Sequence, residues 1–212
     1  MCAIFASSDI EKIKELAELN SYRGQHSYSL SVFNTTTNEL VTKRKCMGAF
    51  SLDGLEIERG MYIVAHIQAP TTAASAIESI HPSVRRDGED LLWHNGIVKE
   101  DCINELKDIL HSSNDWDTAL IHEAIIMKGT DMLNEVDGTF SCLHYSDNQL
   151  YLFRNEISPM FIDDQLNISS TKFDGSKPTR PNLIFKMNFD EMVLEEEAEF
   201  KTKENPYYFG TI

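Results

Sequence analysis

Short apolar runs with a two-residue period occur towards both ends of the chain, and they predict β-strands. In residues 27–33, Tyr28, Leu30 and Val32 point one way while serines point the other, which is the period of a strand. After a polar turn, an apolar segment at 40–43 returns as the partner of this strand. Further strands are predicted at residues 1–5, 62–67, 91–93, 139–145, 150–154, 161–162, 167–170, 183–187 and 192–194.

Three segments are instead predicted to be helices, and two of them show the helical period with one apolar face. In the first, Ser8 and Glu11 fit a capping box, and the apolar face consists of Ile10, Ile13, Leu16 and Ala17. The second covers about 98–111, with a core face formed by Cys102, Ile103, Leu106, Ile109 and Leu110. The third begins near Asp117 and ends at Gly129, a residue that suits a helix C-terminus.

The order of these elements predicts one α+β domain over residues 1–212, with helices covering a sandwich of sheets. The stretch 69–90 is long and irregular, and long loops often carry function. Residues 200–212 are predicted to be a C-terminal tail. Its segment 206–209 (PYYF) could dock a partner or pack on its own domain.

Composition and charge indicate a folded protein without a nucleic-acid or membrane partner. The 212 residues are 42% hydrophobic, enough for a core, and carry a formal net charge of −15. Because this charge repels phosphate, we expect no nucleic acid or membrane partner. There is no signal-peptide pattern and no apolar run near the ~18 residues of a membrane span. Four separated cysteines, Cys2, Cys46, Cys102 and Cys142, predict reduced thiols in the cytoplasm.

Cys2 is the first candidate for chemistry. Removal of Met1 would leave a thiol and a free α-amine on the same residue. An α-amine has an unperturbed pKa of about 7.7–8.0, so part of it can take the thiol proton near neutral pH and later protonate a leaving amine. Taken alone, Cys2 fits a buried cysteine of an edge strand better.

A second candidate follows the apolar residues 91–93. An amide-cleaving thiol needs donors for the developing oxyanion, and the Asn95 side-chain amide and the Gly96 backbone N–H could supply them. Glycine also lets the backbone approach closely. Taken alone, the Asn-Gly dipeptide favours a tight turn.

Six motifs, in order along nearly the whole sequence, together resemble the class II glutamine amidotransferase domain, a branch of the N-terminal-nucleophile hydrolases. They are residues 1–5 (MCAIF), 23–27 (RGQHS), 65–71 (AHIQAPT), 81–82 (HP) with 94–96 (HNG), 117–118 (DT), and 137–140 (DGTF) with 150–154 (LYLFR) and Pro159. The resemblance implies a four-layer αββα sandwich of antiparallel sheets. It also implies an enzyme that releases ammonia from glutamine through a thioester, with no cofactor.

The resemblance assigns roles to the matched positions. Cys2 would be the nucleophile and its α-amine the base, while Asn95 and Gly96 would form the oxyanion hole. Asp117 would bind the substrate α-ammonium, although an ordinary helix N-cap explains it as well. Thr71 would line the glutamine site together with Gly96.

The remaining polar candidates have competing explanations. Arg23 would support the loop beside the nucleophile, or it forms a surface salt bridge. His66 and His81 match positions near the pocket, and polar loop packing explains them equally well. Because no HExxH-type spacing occurs, we predict no metal. The other histidines are predicted as surface or helix-face residues: His111, His122 and His144.

Gln68 is the main departure, because the family carries an arginine there that clamps the substrate α-carboxylate. A charge-assisted pair contributes roughly 1.5–3 kcal/mol, more than a neutral amide does. Three consequences are possible. Affinity for free glutamine is weak until a partner binds; Arg85 or Arg86 supplies the missing charge; or the substrate lacks a free α-carboxylate. His26 in place of aspartate and Ala65 in place of glycine also depart from the family.

Three functions therefore remain as hypotheses. The first is a glutaminase subunit that passes ammonia to a separate acceptor enzyme, since the matched region fills the sequence and leaves no acceptor domain. The second is a stand-alone amidohydrolase acting on a γ-glutamyl compound or another amide. The third hypothesis is a non-catalytic binding module that keeps the fold.

Overall fold

Two antiparallel β-sheets lie at the centre of the protein in the computed structural model, which describes residues 2–69 and 79–203. The strands are β1 (Cys2–Ser7), β2 (Ser27–Asn34), β3 (Leu40–Met47), β4 (Met61–Gln68), β5 (Ser83–Arg85), β6 (Asp90–Val98), β7 (Gly138–Ser146), β8 (Gln149–Arg154), β9 (Phe161–Ile162), β10 (Ile168–Ser169), β11 (Lys177–Pro178), β12 (Leu183–Asn188) and β13 (Val193–Glu199). The helices are α1 (Ile10–Asn20), α2 (Glu100–Leu110) and α3 (Asp117–Lys128).

Strand order places both candidate motifs inside the sheets. Within the described residues, one sheet has seven strands in the order β11-β9-β10-β1-β4-β2-β3, and the other has six in the order β13-β12-β8-β7-β6-β5. β1 pairs with β4 so that Cys2 lies opposite Gln68. β6 pairs with β7, and Asn95 and Gly96 lie within that ladder.

Three apolar clusters divide the fold into four layers. The largest lies between the two sheets and includes Ile4 and Tyr62 from one sheet and Trp93 and Leu152 from the other. A second cluster joins α1 to the outer face of the seven-stranded sheet, and a third joins α2 and α3 to the outer face of the six-stranded sheet. The predicted αββα sandwich of antiparallel sheets is therefore confirmed. No helix among the described residues has the length and apolarity to span a membrane.

All the strands predicted from the sequence are present, and most are longer than predicted. β5 and β11 were not predicted, and β5 lies inside the stretch that was expected to be irregular. The turn between β7 and β8 is a hairpin turn, with Asp147 and Asn148 both at positive φ. Residues 206–209, predicted as a docking or packing segment, lie outside the described residues.

The helices are present where the sequence predicted them, with two local errors. The N-cap of α1 is Asp9 and not Ser8, because the Asp9 Oδ1 atom accepts the Glu11 N–H at 2.9 Å. α2 buries Cys102, Leu106 and Leu110, which recur every four residues, and Ile109 lies off that line and is 46% exposed. α3 ends as predicted, with the Gly129 N–H donated to the Ile125 carbonyl.

A buried carboxylate ties α3 to the six-stranded sheet. The Asp90 Oδ1 atom lies 2.6 Å from His122 Nε2 and 2.7 Å from His144 Nε2, and Oδ2 accepts from Ser146 Oγ at 2.7 Å. His122 and His144 were predicted to be surface or helix-face residues. His122 does lie on α3, but neither residue is at the surface, because α3 covers this face of the sheet and both side chains are buried. Burial would raise the pKa of Asp90, but the hydrogen bonds from His122, His144 and Ser146 hold it well below its usual value.

We expect Asp90→Asn to lower the free energy of unfolding by about 1–3 kcal/mol at pH 7, because the amide NH₂ must face one of three hydrogen-bond donors. Chemical denaturation measures this loss. The folded-state pKa is depressed, so the carboxylate stabilises the fold above about pH 4 and loses this effect as the pH falls further. The difference between wild type and variant should therefore shrink below that pH.

The matched control is Asp147→Asn in the exposed hairpin turn. Its carboxylate lies 3.7 Å from Arg86 Nη1, the same distance at which this guanidinium meets Asp90. We expect the control to change stability by no more than about 0.5 kcal/mol. Equal losses in the two variants would show that the buried hydrogen bonds contribute nothing specific.

Candidate active site

The predicted site residues come together around one cavity of about 890 Å³. They arrive from the start of β1, the end of β4, the middle of β6 and the first turn of α3. The predicted residues that line it are Cys2, Arg23, Gln68, His81, Asn95, Gly96 and Asp117. Thr71, the remaining predicted site residue, lies outside the described residues.

Cys2 is held at the cavity by the pairing of β1 with β4, opposite Gln68. The pKa of its thiol is raised to about 11, mainly by burial; the positive N-terminus and Arg23 lower it, and the Asp117 carboxylate raises it. With Met1 attached, the thiol is therefore protonated at neutral pH. The position suits a nucleophile, but the thiol needs a base beside it.

Asn95 and Gly96 form part of strand β6, so the interpretation of this dipeptide as a tight turn is wrong. The Asn95 carbonyl accepts from Ser158 Oγ at 2.8 Å, which fixes the backbone. The side-chain amide of Asn95 lines the cavity and donates no hydrogen bond to another described residue. A Cβ atom on Gly96 would overlap the Thr139 carbonyl of β7, so this close strand contact requires glycine.

Asp117 presents a carboxylate to the cavity from the first turn of α3. It is not the helix N-cap, as the alternative interpretation had it, because Trp116 occupies that position. The Asp117 Oδ1 atom accepts the Thr118 N–H at 2.7 Å, and Oδ2 accepts the Val98 N–H at 3.3 Å. These bonds aim the carboxylate, which is 22% exposed, and leave lone pairs for a cationic group.

A series of side-chain hydrogen bonds runs along the wall of the cavity. His81 Nδ1 lies 3.2 Å from Gln68 Oε1, and His81 Nε2 lies 2.9 Å from Thr118 Oγ1. The Thr118 hydroxyl also meets His94 Nδ1 at 3.0 Å. Gln68 Nε2 in turn donates to the Ser79 carbonyl at 3.4 Å. Gln68 is therefore held by the loop before β5 and not directed freely into the cavity.

Two buried histidines, His81 in the wall and His66 behind it, are uncharged at neutral pH. Burial lowers the pKa of His66 to about 3 and holds the pKa of His81 well below its usual value. Their rings stack with centroids 3.9 Å apart, and His81 also packs edge-on against Trp116. His81 lines the cavity, whereas His66 is fully buried behind it. This wall is polar but neutral.

Arg23 follows a short 3-10 turn, and Gly24 lets the turn approach the backbone at the end of β4. Its Nε atom donates to Thr171 Oγ1 at 3.1 Å, and its Nη1 atom lies 3.5 Å from the Cys2 carbonyl oxygen. Among the ion pairs of the described residues Arg23 does not occur, so the salt-bridge interpretation is not supported. The guanidinium instead contacts the backbone of the proposed nucleophile.

Arg85 and Arg86 do not supply the charge that Gln68 lacks. Arg85 lies 3.5 Å from Glu123, Arg86 lies 3.7 Å from Asp90, and neither residue lines the cavity. This possibility is therefore wrong, because Arg85 at the end of β5 and Arg86 in the 3-10 turn after it both lie beside acidic residues of other elements.

Two neighbours of the predicted residues were missed. His94 and Thr118 were quoted within motifs but received no role, although their side chains connect the two halves of the wall. Their position next to Asn95 and Asp117 was the available signal.

One group of described side chains could hold a metal. Asp90, His122 and His144 bring ligand-type atoms within 4.8 Å of one another. The Asp90 carboxylate already accepts hydrogen bonds from both histidines and lies near the Arg86 guanidinium, so its charge is compensated without a metal ion. The cluster is not part of the cavity lining.

Comparisons with known proteins agree with this architecture. No protein-family model and no curated protein sequence matches this protein. Its structure is similar to a glutamine phosphoribosylpyrophosphate amidotransferase from B. subtilis, with TM-score 0.68 and 16% identity over 93% of this chain and 49% of that chain. It is also similar to an allosteric regulatory enzyme of purine biosynthesis, with TM-score 0.69 and 18% identity over 93% and 48%.

The protein spans about half the length of these solved structures. At this level of identity the likeness shows the fold, which is the N-terminal-nucleophile hydrolase fold that the resemblance implied. The roles of individual residues remain predictions.

The raised pKa of Cys2 predicts a pH-dependent reactivity. In the protein that retains Met1, alkylation of Cys2 by iodoacetamide should be slow at pH 7 and should rise roughly tenfold per pH unit, because only the thiolate reacts. The increase should continue towards about pH 11. Peptide mass spectrometry resolves the rate at Cys2, and an unstructured cysteine peptide, which titrates near about 8.5, corrects for the reagent. A plateau shared with that peptide would contradict the burial argument.

Proposed function

We propose that this protein is an amide hydrolase of the glutamine amidotransferase type, with Cys2 as its nucleophile after removal of Met1. The observation that supports this most is the single cavity shared by Cys2, Asn95, Gly96 and Asp117. These residues are distant in the sequence, and the sandwich fold gathers a thiol, the Asn-Gly pair and a carboxylate around one cavity. Neighbours with this fold include a glutamine-dependent amidotransferase.

In the proposed reaction, the free α-amine of Cys2 takes the thiol proton, directly or through a water molecule. This step is needed because burial raises the pKa of the thiol and otherwise keeps it protonated. The sulfur attacks the side-chain amide carbon, and the Asn95 amide and the Gly96 N–H hold the negative oxygen of the tetrahedral intermediate. The protonated amine then gives its proton to the leaving nitrogen, the C–N bond breaks, and ammonia departs.

The product of this half-reaction is a γ-glutamyl thioester on Cys2. Water attacks it with the α-amine again acting as base, the C–S bond breaks, and a γ-carboxylate and the free thiol are released. Asp117 would hold the substrate α-ammonium throughout. Ammonia goes either to an acceptor outside residues 1–212, which is the amidotransferase form of this function, or to water.

A thiol-trapping glutamine analogue, such as 6-diazo-5-oxo-L-norleucine at millimolar concentration, tests the proposal directly. Intact-mass and peptide mass spectrometry should show one adduct, on Cys2, in molecules that have lost Met1. Cys2→Ala should give none, and the buried Cys142 of the same molecule serves as an internal control. A retained Met1 together with an unmodified Cys2 would favour the non-catalytic binding module.

Asn95→Ala tests the oxyanion role. Removing one such donor typically lowers kcat by about 10²–10³-fold, and KM should change little because the bond forms mainly in the transition state. Ammonia release under saturating and limiting substrate separates the two parameters. Asn188→Ala, which removes turn-capping hydrogen bonds outside the cavity lining, controls for a general loss of stability. A similar fall in kcat in both variants would remove the case for Asn95.

A further inference from the structure

Every Lys and Arg side chain of this protein lies in the part of the sequence that the structure describes, so each can be placed relative to the cavity. Residues 70–78 and 204–212 contain no Lys or Arg, so all 19 Lys and Arg residues belong to the described ranges. Among them, Arg23 alone lines the cavity. The sequence outside the described ranges therefore cannot supply another cationic residue.

Arg23 and Lys45 are the cationic residues to consider near the site, and neither is placed to bind a substrate carboxylate away from Cys2. Arg23 is directed to Thr171 and to the carbonyl of Cys2, at the nucleophile end of the cavity. Lys45 lies on β3, separated from His66 of β4 by Ser29 of β2, and is not part of the lining. Apart from Arg23, the described lining therefore offers a substrate carboxylate no Lys or Arg side chain.

The cavity also carries a negative charge beside neutral polar groups. Asp117 supplies the charge, and Gln68, His81 and Thr118 form the neutral wall beside it. An amino acid carries its α-amine and α-carboxylate on one carbon, so an amine held by Asp117 brings its carboxylate close to the same anion. Like charges repel at this range unless a cation separates them. An amide in place of the carboxylate avoids this repulsion and can bond to neutral groups.

The cavity also offers room and apolar surface beyond a single amino acid. Its volume of about 890 Å³ is near the upper end of the range for ligand pockets. Ile97 lines it while remaining 64% exposed, and Ile157, Pro159 and Trp116 lie in the same lining. An extended substrate would cover this exposed apolar surface.

We propose that the substrate is a glutaminyl residue with a free α-amine and with its α-carboxyl joined in an amide, as at the N-terminus of a peptide. Its ammonium binds Asp117, its first peptide group meets the neutral wall, and its next residue packs on Ile97. The C–N bond of the γ-amide is cleaved, water supplies the oxygen, and the products are a glutamyl peptide and ammonia. This inference rests on the proposed function of Cys2.

The test compares three substrates with the processed full-length protein: L-glutamine, L-glutaminyl-leucine amide, and the same compound acetylated on its α-amine. Mass spectrometry of the glutamyl product distinguishes hydrolysis from spontaneous cyclisation of N-terminal glutamine, and an enzyme-free blank corrects for it. We expect kcat/KM for glutaminyl-leucine amide to exceed that for glutamine by about tenfold or more, the factor associated with one charged contact. Acetylation should abolish this advantage.

Gln68→Arg should reverse the preference, because it places a cation in the neutral wall. Lys45→Met is the control and should leave the preference unchanged. Should Gln68→Arg fail to fold, product inhibition of the wild-type protein provides a second measurement: glutamyl-leucine amide should inhibit more strongly than glutamate.

The outcomes separate this inference from the function on which it rests. A wild-type preference for free glutamine, or stronger inhibition by glutamate, would overturn the substrate assignment and leave the amide hydrolase intact. Lack of turnover with every substrate, together with an unmodified Cys2 in the trapping experiment, would overturn both.

Discussion

The candidate site depends on the register of β1 against β4. This register places Cys2 opposite Gln68 and at the cavity, while the next residue, Ala3, packs in the cluster under α1. A slip of one residue would exchange the two faces and bury the thiol beneath the helix. The burial that fixes the thiol also raises its pKa to about 11, so geometry alone gives an unreactive nucleophile. The proposed α-amine base on the same residue would overcome this, because it lies next to the thiol and can take its proton.

The fold was largely predictable because its signals are local. Apolar alternation identified the strands, and a polar hairpin turn with Asp147 and Asn148 joined β7 to β8. The predictions were wrong where contacts between residues far apart in the sequence determine the burial or conformation of a residue. His122 and His144 resemble surface residues until the fold brings Asp90 between them. Asn-Gly favours a turn in isolation, but pairing with β7 extends β6 through Gly96.

The candidate site was predictable only as a set of residues. The family resemblance selected residues that the structure then places around one cavity, yet it could not say how they are oriented. Only the structure shows that Gln68 is tied to His81 and Ser79, and that Arg85 faces Glu123. Those contacts cross between strands, loops and helices, and no sequence period encodes them. Departures from a family pattern therefore need coordinates before they can be interpreted chemically.

Charge acts on this site at two distances, and both favour the same ligand. Nearby, Asp117 faces the cavity beside neutral polar residues. At long range, the net charge of −15 gives the protein as a whole a negative field, which attracts amines and repels carboxylates. Free glutamine gains little from this field because its two charges cancel, whereas a peptide amine whose carboxyl group is blocked by an amide is attracted. Salt would weaken this long-range attraction first, because charges farther apart than a Debye length are screened more than charges in contact.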